Sequence, residues 1–225
     1  MNKSLTLQLA DYAGLVWAQE QVTQHHYLHR PVDVRCSPVA YLVIDEDGQR
    51  QGCLIFGRPQ ASRVGGWYGS VADQQSGRCR LTRWQIVNLA RIWLEPSVQR
   101  GGARFIENAA TQVVALALRR IGYDLLMLRP PVFLDEPYEI RECLSYLDTR
   151  RHRGTLYRAA NFRLVRENAR GIQTYAIPLR HLTHAERRDI EKRAQESPRS
   201  RRYRSMRAVA GYEQGILLPK AWRRR

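Results

Sequence analysis

Lysine is almost missing from this 225-residue chain: it occurs only at Lys3, Lys192 and Lys220, although Lys and Arg together number 37. Acidic residues are also few, 21 in all, which leaves a formal net charge of +16. Positive charge carried by arginine suits planar, bidentate contacts to phosphates and base edges. An excess of this size points to a polyanionic partner, because each phosphate neutralised releases condensed counterions. The cysteines (Cys36, Cys53, Cys79, Cys143) are far apart and form no C-x-x-C pair. That spacing argues for reduced thiols in a cytoplasmic compartment and against a zinc knuckle. Long apolar runs are lacking as well. No stretch reaches the roughly 18 apolar residues of a membrane span, and the N-terminus has no continuous apolar core, so neither a span nor a secretion signal is expected.

What is present is the composition of a globular protein, 44% apolar, with no internal repeat. Residues 8–23 carry helical spacing (Leu9, Tyr12, Ala13, Val16, Trp17), stopped by Pro31. Residues 39–44 and 52–56 read as strands joined across Asp45-Glu46-Asp47-Gly48. Residues 57–83, rich in Gly, Arg, Ser and Gln, read as a long loop or a short strand pair, and long loops inside compact domains are usually functional or mobile. A strand over 89–94 ends at Pro96, and a one-sided helix over 103–121 closes at Gly122. Residues 123–139 are open to either a short helix or a strand. A strand over 140–147, a helix over 154–160 and a hairpin over 162–166 and 173–178 complete a first domain, residues 1–180. Beyond it, Thr183 and Glu186 match a capping box opening a charged helix. Residues 197–225 then hold eight Arg and one Lys against one Glu, a net +8, half the excess charge. Such a tail cannot bury enough apolar surface to order itself. Its Tyr203, Tyr212 and Trp222 suit stacking on bases.

The segment Ser145–Phe162, SYLDTRRHRGTLYRAANF, concentrates the candidate chemistry. A strand hands over to a helix there, and such rims hold polar groups rigidly at the edge of water. Asp148, at the strand end, is a candidate to orient or deprotonate a nucleophile, or else caps the following turn. His152 is a candidate to share the proton or contact phosphate. Ser145 is a candidate donor to a reacting carbonyl. Arg91 alternates onto the face of Leu89 and Trp93 and, as a charge in an apolar strand, requires a partner, for which Asp148 is the natural choice. His25, His26, Tyr27 and His29 lie in the first inter-helix loop. Tyr27 offers a stacking platform for an extruded base. His26, His29 and Asp148 compose a possible two-His-one-carboxylate metal set, a less favoured reading than a histidine-rich substrate loop, so no metal is assigned.

The order of elements and the run GTLYRAANFRLV resemble the GNAT acyltransferase fold over residues 5–178. The set HHYLHR, GCLIFGRP, VNLARIWL and SYLD-x-x-x-HRGTLYRAANF more narrowly resembles the Mom family of bacteriophage DNA-modification proteins. The resemblance implies an α/β protein with a mixed, mostly antiparallel central sheet flanked by helices; the basic helix and Arg-rich tail over 181–225 lie beyond it. The resemblance also implies an enzyme of the host cytoplasm that converts adenine in duplex DNA to a carbamoylmethyl form, shielding phage DNA from restriction. It places a general acid at Tyr157, which joins Asp148, Arg91, Ser145, His26 and Tyr27 as the candidate catalytic residues. Double-stranded DNA is then the expected partner, met by His29, Arg30, Arg58, Arg63, His152, Arg153, Arg199, Arg201, Arg202 and Arg204. The GNAT pattern Gln/Arg-x-x-Gly-x-Gly/Ala falls on Gln99, Arg100, Gly101 and Gly102, the expected donor loop, where acetyl-coenzyme A would seat its pyrophosphate on backbone N–H groups. Arg104 stands where the second small residue belongs. An aminoacyl-tRNA is therefore a second expected donor, since the unit added to adenine is glycine-derived. The rival readings are an ordinary acetyl-coenzyme A transferase acting on a small amine or lysine, and a non-catalytic DNA-binding scaffold.

Overall fold

The structure, a computed structural model, describes residues 4–59, 81, 83–131 and 138–197. Among them, seven strands make one sheet in the order β1-β2-β3-β4-β5-β7-β6. These are β1 (Thr6–Leu9), β2 (Val39–Ile44), β3 (Arg50–Gly57), β4 (Ile86–Leu94), β5 (Glu142–Asp148), β6 (Arg163–Glu167) and β7 (Ile172–Pro178). Neighbours run antiparallel except β4 and β5, which are parallel. The helices are α1 (Tyr12–His25), α2 (Ala109–Leu128), α3 (Thr155–Ala159) and α4 (His184–Glu196). The expected mixed, mostly antiparallel sheet flanked by helices is therefore present.

The helices cover both faces of the sheet. Val113, Val114, Ala117, Ile121 and Leu125 of α2 pack on Tyr41, Leu54, Val87 and Cys143 to form the main core. Ala18 and Val22 of α1 pack on Ala40, Leu42, Cys53 and Ile55 on the other face. Each such aliphatic side chain contributes about 1.5–3 kcal/mol of burial free energy. A buried polar link ties α2 to the sheet: the Tyr41 hydroxyl donates to Asp124 at 2.7 Å, and Arg120 pairs with the same carboxylate at 3.2 Å. Burial beside that carboxylate pushes the Tyr41 phenol far up.

Several expected boundaries shift for local reasons. Residues 8–23 are not one helix, because Thr6–Leu9 pairs with β2 and Asp11 then caps α1, its carboxylate accepting from the Gly14 N–H at 2.8 Å. The helix expected over 103–121 opens only at Ala109, behind a left-handed Asn108. It runs through Gly122 to Leu128, since Leu125 and Leu126 keep its buried face going. The Thr183–Glu186 capping box is present and opens α4. The boundary expected at residue 180 does not detach that helix: Ile190 is fully buried in the main core, and Arg187 pairs with Glu139 at 2.9 Å. Of the expected long loop, residues 60–80 lie outside the described residues, as do Arg63, Arg199, Arg201, Arg202, Arg204 and the rest of the tail from residue 198. Among the described residues no helix is long and apolar enough to cross a membrane.

Candidate active site

The site exists because β4 changes partners half-way along. From Leu54 to Gly57, β3 pairs with Ile92, Arg91, Leu89 and Asn88, so Ala90 is an extra residue on β4, a bulge. Pairing with β5 covers only Ile86–Asn88 against Glu142–Leu144. Past that point β4 stays with β3 while β5 stays with β7 up to Asp148, and the strands part. A cavity of about 820 Å³ fills the gap. Its walls come from Asn88–Leu94, Tyr146–Asp148, the loop after α1 and the segment 152–157. It reaches both faces of the sheet.

The bulge also overturns one expectation. Leu89, Ile92 and Leu94 face the α2 core, whereas Ala90 and Trp93 face α1, so Leu89 and Trp93 are on opposite sides. Strict alternation, from which Arg91 was assigned to a face shared by both, fails at the extra residue.

On the α2 side, Tyr157 is buried with its ring stacked on Tyr175 at 5.0 Å and edge-on to Phe162 at 5.5 Å. Its hydroxyl lies 2.8 Å from Ser145 Oγ, which lies 2.9 Å from the carbonyl of Leu89 beside the bulge. A serine has one proton, and a carbonyl only accepts, so Ser145 donates to Leu89 and accepts from Tyr157. Ser145 is 1% exposed and holds Tyr157, rather than meeting a reacting carbonyl as its sequence position suggested. Burial pushes the Tyr157 phenol up to about 12 against a smaller opposing effect of Ser145. The phenol therefore keeps its proton at neutral pH. Should it give that proton up, Ser145 can swing its own from Leu89 onto the phenolate.

This position of Tyr157 depends on Gly154, which caps α3 at φ 70°. A Cβ there would lie 2.5 Å from the Tyr175 hydroxyl. Gly154→Ala is expected to lower stability by about 2 kcal/mol or more in denaturant titrations, combining the left-handed strain with the clash.

On the α1 side the cavity is lined with flat rings. His25 stacks on Trp93 at 5.0 Å, His26 lies 4.4 Å from Tyr27, and His152 meets Tyr27 edge-on at 4.8 Å. The Arg151 guanidinium lies over Tyr27 at 5.5 Å. His26 is pushed down to about 4 by burial and then by Arg91, His152 and His29. Its Nδ1 accepts from the Leu28 N–H at 3.2 Å, which leaves the proton of the neutral ring on Nε2. Since the folded value lies below the unfolded one near 6.5, its contribution to stability is full above pH 6.5 and is lost as pH falls through about 4. His26→Phe is expected to lose less stability than the wild type between pH 7 and pH 4.5, measured by urea unfolding at each pH.

Asp148 and Arg91 do not pair. Arg150 takes both carboxylate oxygens of Asp148, Nε to Oδ1 at 2.9 Å and Nη2 to Oδ2 at 2.7 Å. That fork holds the carboxyl down at about 2, so Asp148 is a weak base at the strand end. Its stabilising effect is present above pH 4 and is lost as pH falls through about 2. Arg91 donates from Nη1 to its neighbour's carbonyl, Ala90, at 2.6 Å, and its buried Nε has no partner among the described residues. Burial and then Arg30 push its guanidinium down. With Asp148 committed to Arg150, the metal set of His26, His29 and Asp148 is not assembled. Among the described residues no three His, Cys, Asp or Glu side chains converge on a metal position.

The expected donor loop is built inward. The N–H groups of Gln99, Gly102, Arg104, Phe105 and Ile106 all donate to carbonyls of residues 96–102. The Gln99 side chain donates to the Leu94 carbonyl at 2.6 Å, and a Cβ on Gly102 would lie 2.3 Å from the Pro96 carbonyl oxygen. Arg104 turns away to Asp45 at 3.2 Å. The helix that should begin at this loop begins after Asn108 instead. Of the four residues expected to seat a pyrophosphate, Gln99 and Gly102 have their N–H groups committed to the loop's own carbonyls, and the four do not open a helix.

Of the residues expected to meet DNA, Arg30, His152 and Arg153 line the cavity and are exposed. His29 is exposed beside it at φ 43°. Arg58 lies at the opposite end of β3, over Trp84 at 5.1 Å. Sequence reasoning missed Asn88, Trp93, Arg150 and Arg151. The signal for Asn88 was a polar residue inside an apolar strand, and that for Arg150 an acid two residues before a base in a turn.

The chain matches the model of the Mom protein family over residues 14–214. It belongs to the Mom family. No curated protein matches it. Among solved structures it is similar to a GNAT-superfamily phosphinothricin acetyltransferase from Sinorhizobium meliloti in complex with AcCoA. That likeness has a TM-score of 0.48 and 15% identity, over 82% of this chain and 95% of the other. It is also similar to a spermidine N-acetyltransferase from Vibrio cholerae in complex with CoA and spermine, with a TM-score of 0.45 and 11% identity, over 78% of this chain and 95% of the other. In this member of the Mom family, the Tyr157 phenol enters the cavity from one face of the sheet, and stacked rings and Arg91 enter from the other.

Proposed function

We propose that this Mom-family chain is a transferase that delivers a glycine-derived unit to the exocyclic amine of adenine in duplex DNA. The observation that carries the reading is the cavity between β4 and β5, which joins the Tyr157 proton donor to a slot walled by Tyr27, Trp93 and His152. A base cannot react inside the duplex, so it is extruded, and flat rings repay part of the lost stacking. The excess arginine, including Arg30 and Arg153 at the rim, suits the flanking phosphates.

The inward-turned loop at 99–106 favours an aminoacyl-tRNA over acetyl-coenzyme A as donor. In the acyl-transfer step the adenine amine attacks the ester carbonyl and forms the C–N bond. The C–O bond to the tRNA ribose breaks, and the departing oxygen takes the Tyr157 proton. Ser145 then turns its proton toward the phenolate. The amine loses a proton to His152, which lines the same cavity and, unlike Asp148, is not gripped by an arginine fork. Arg91 supplies the positive charge that an anionic group of either substrate requires.

Mass spectrometry of nucleosides digested from DNA of cells expressing the chain tests the reading. A heavier deoxyadenosine is expected. Glycyl-adenine and carbamoylmethyl-adenine are isomers, so the mass identifies the unit and fragmentation identifies its attachment. Deoxyadenosine unchanged in mass would refute the proposal.

A further inference from the structure

β4 carries two buried polar atoms that the described residues leave unsatisfied. Among the described residues neither Oδ1 of Asn88 nor Nε of Arg91 has a hydrogen-bond partner. Both residues line the cavity. A buried amide oxygen without a donor costs roughly 1–3 kcal/mol, and an aliphatic side chain at this strand position would avoid that cost. Asn88 is the last residue of β4 still paired with β5, opposite Leu144, so it sits where the strands begin to part. By alternation before the bulge it is on the side of Ala90, facing α1, where the stacked rings are.

We propose that Asn88 is the residue that selects the acceptor base, reading the edge of an extruded adenine with its side-chain amide. The proposal rests on the adenine reading given above. A planar amide offers one acceptor and one donor side by side. Adenine offers the complement, a 6-amino donor next to a ring-nitrogen acceptor, whereas guanine and thymine place a carbonyl oxygen where adenine has its amine. In the unliganded protein Oδ1 is turned away from solvent. The terminal torsion of asparagine is soft, so the amide turns to the ligand and the cost of its unpaired state is relieved on binding. Oδ1 then accepts one hydrogen of the 6-amino group, which orients that nitrogen, and Nδ2 donates to the neighbouring ring nitrogen. Cytosine presents the same pair on a smaller ring and is the closest competitor.

The test compares binding of the full-length chain to two random-sequence duplex pools, one with adenine and one with 2-aminopurine in its place. The substitute pairs with thymine but lacks the 6-amino group. Wild type is expected to bind the adenine pool about tenfold more tightly, the discrimination typical of one bidentate base contact. Asn88→Leu and Asn88→Ala are expected to lose that preference while keeping the wild-type salt slope, which reports phosphate contacts alone. Asn88→Leu also removes the unpaired amide, so it keeps the fold, checked by its unfolding midpoint. A folded variant that retains the tenfold preference overturns the proposal, as does a wild type with no preference. A heavier deoxyadenosine in cells would then leave the adenine reading standing. A wild-type preference without any modified nucleoside would sink that reading instead.

Discussion

Tyr157→Phe is expected to slow base modification by roughly 10²–10⁴-fold, the usual loss when a positioned general acid is removed, with the fold retained. The ring stays clamped between Tyr175 and Phe162, and Ser145 keeps its bond to Leu89. The stability loss is that of one buried hydrogen bond, about 1 kcal/mol. DNA affinity is expected to be unchanged, because the phenol enters from the α2 side of the sheet and the stacked rings proposed to hold the base enter from the other. The phenol value of about 12 fixes the pH dependence. This acid stays protonated through neutral and mildly alkaline pH, so no alkaline fall in rate due to its loss is expected below about pH 11. An alkaline limb near pH 8 in a pH–rate profile would assign the acid to another group.

Arg91→Leu is expected to stabilise the protein and disable it together. Among the described residues the half-buried guanidinium finds no carboxylate and its Nε no partner. Replacing such a group by an apolar one of similar length removes a desolvation cost. The unfolding midpoint is expected to rise by about 2–4 °C, equivalent to on the order of 1 kcal/mol for a domain of this size. Modification is expected to fall roughly 100-fold, because the charge is retained for an anionic group of a substrate and a lost charge-assisted contact of that kind costs about 2–5 kcal/mol. A structural role for Arg91 predicts the opposite sign for stability, so calorimetry beside a modification assay separates the two.

Much of the fold was legible because local chemistry and global pattern agree. The β2–β3 hairpin followed from Asp45–Gly48, the terminal hairpin from Gly171, and α4 from Thr183 and Glu186. The misread boundaries lie where a single residue departs from periodicity. Gly122 looks like a helix stop, yet the burial of Leu125 and Leu126 carries the helix past it. Asp11 looks like one more polar helical residue, yet it separates β1 from α1. The candidate site was legible as a set of residues and not as an arrangement. Asp148 and Tyr157 are nine positions apart, yet they enter the cavity from opposite faces of the sheet, because β5 alternates and the chain then crosses over into α3. No sequence pattern announces the bulge at Ala90, which moves Arg91 off the face of Leu89, and Arg150 takes the Asp148 carboxylate that Arg91 was expected to meet.

We propose one cavity in which an extruded adenine meets an aminoacyl donor under the acid Tyr157. The most direct test is single-turnover transfer of labelled glycine from glycyl-tRNA to duplex DNA by the purified protein, with labelled acetyl-coenzyme A as the parallel donor. Label is expected on deoxyadenosine from the tRNA and not from acetyl-coenzyme A, with a rate at least 100-fold lower for folded Tyr157→Phe. Label from acetyl-coenzyme A instead, or equal transfer by Tyr157→Phe, would contradict the proposal.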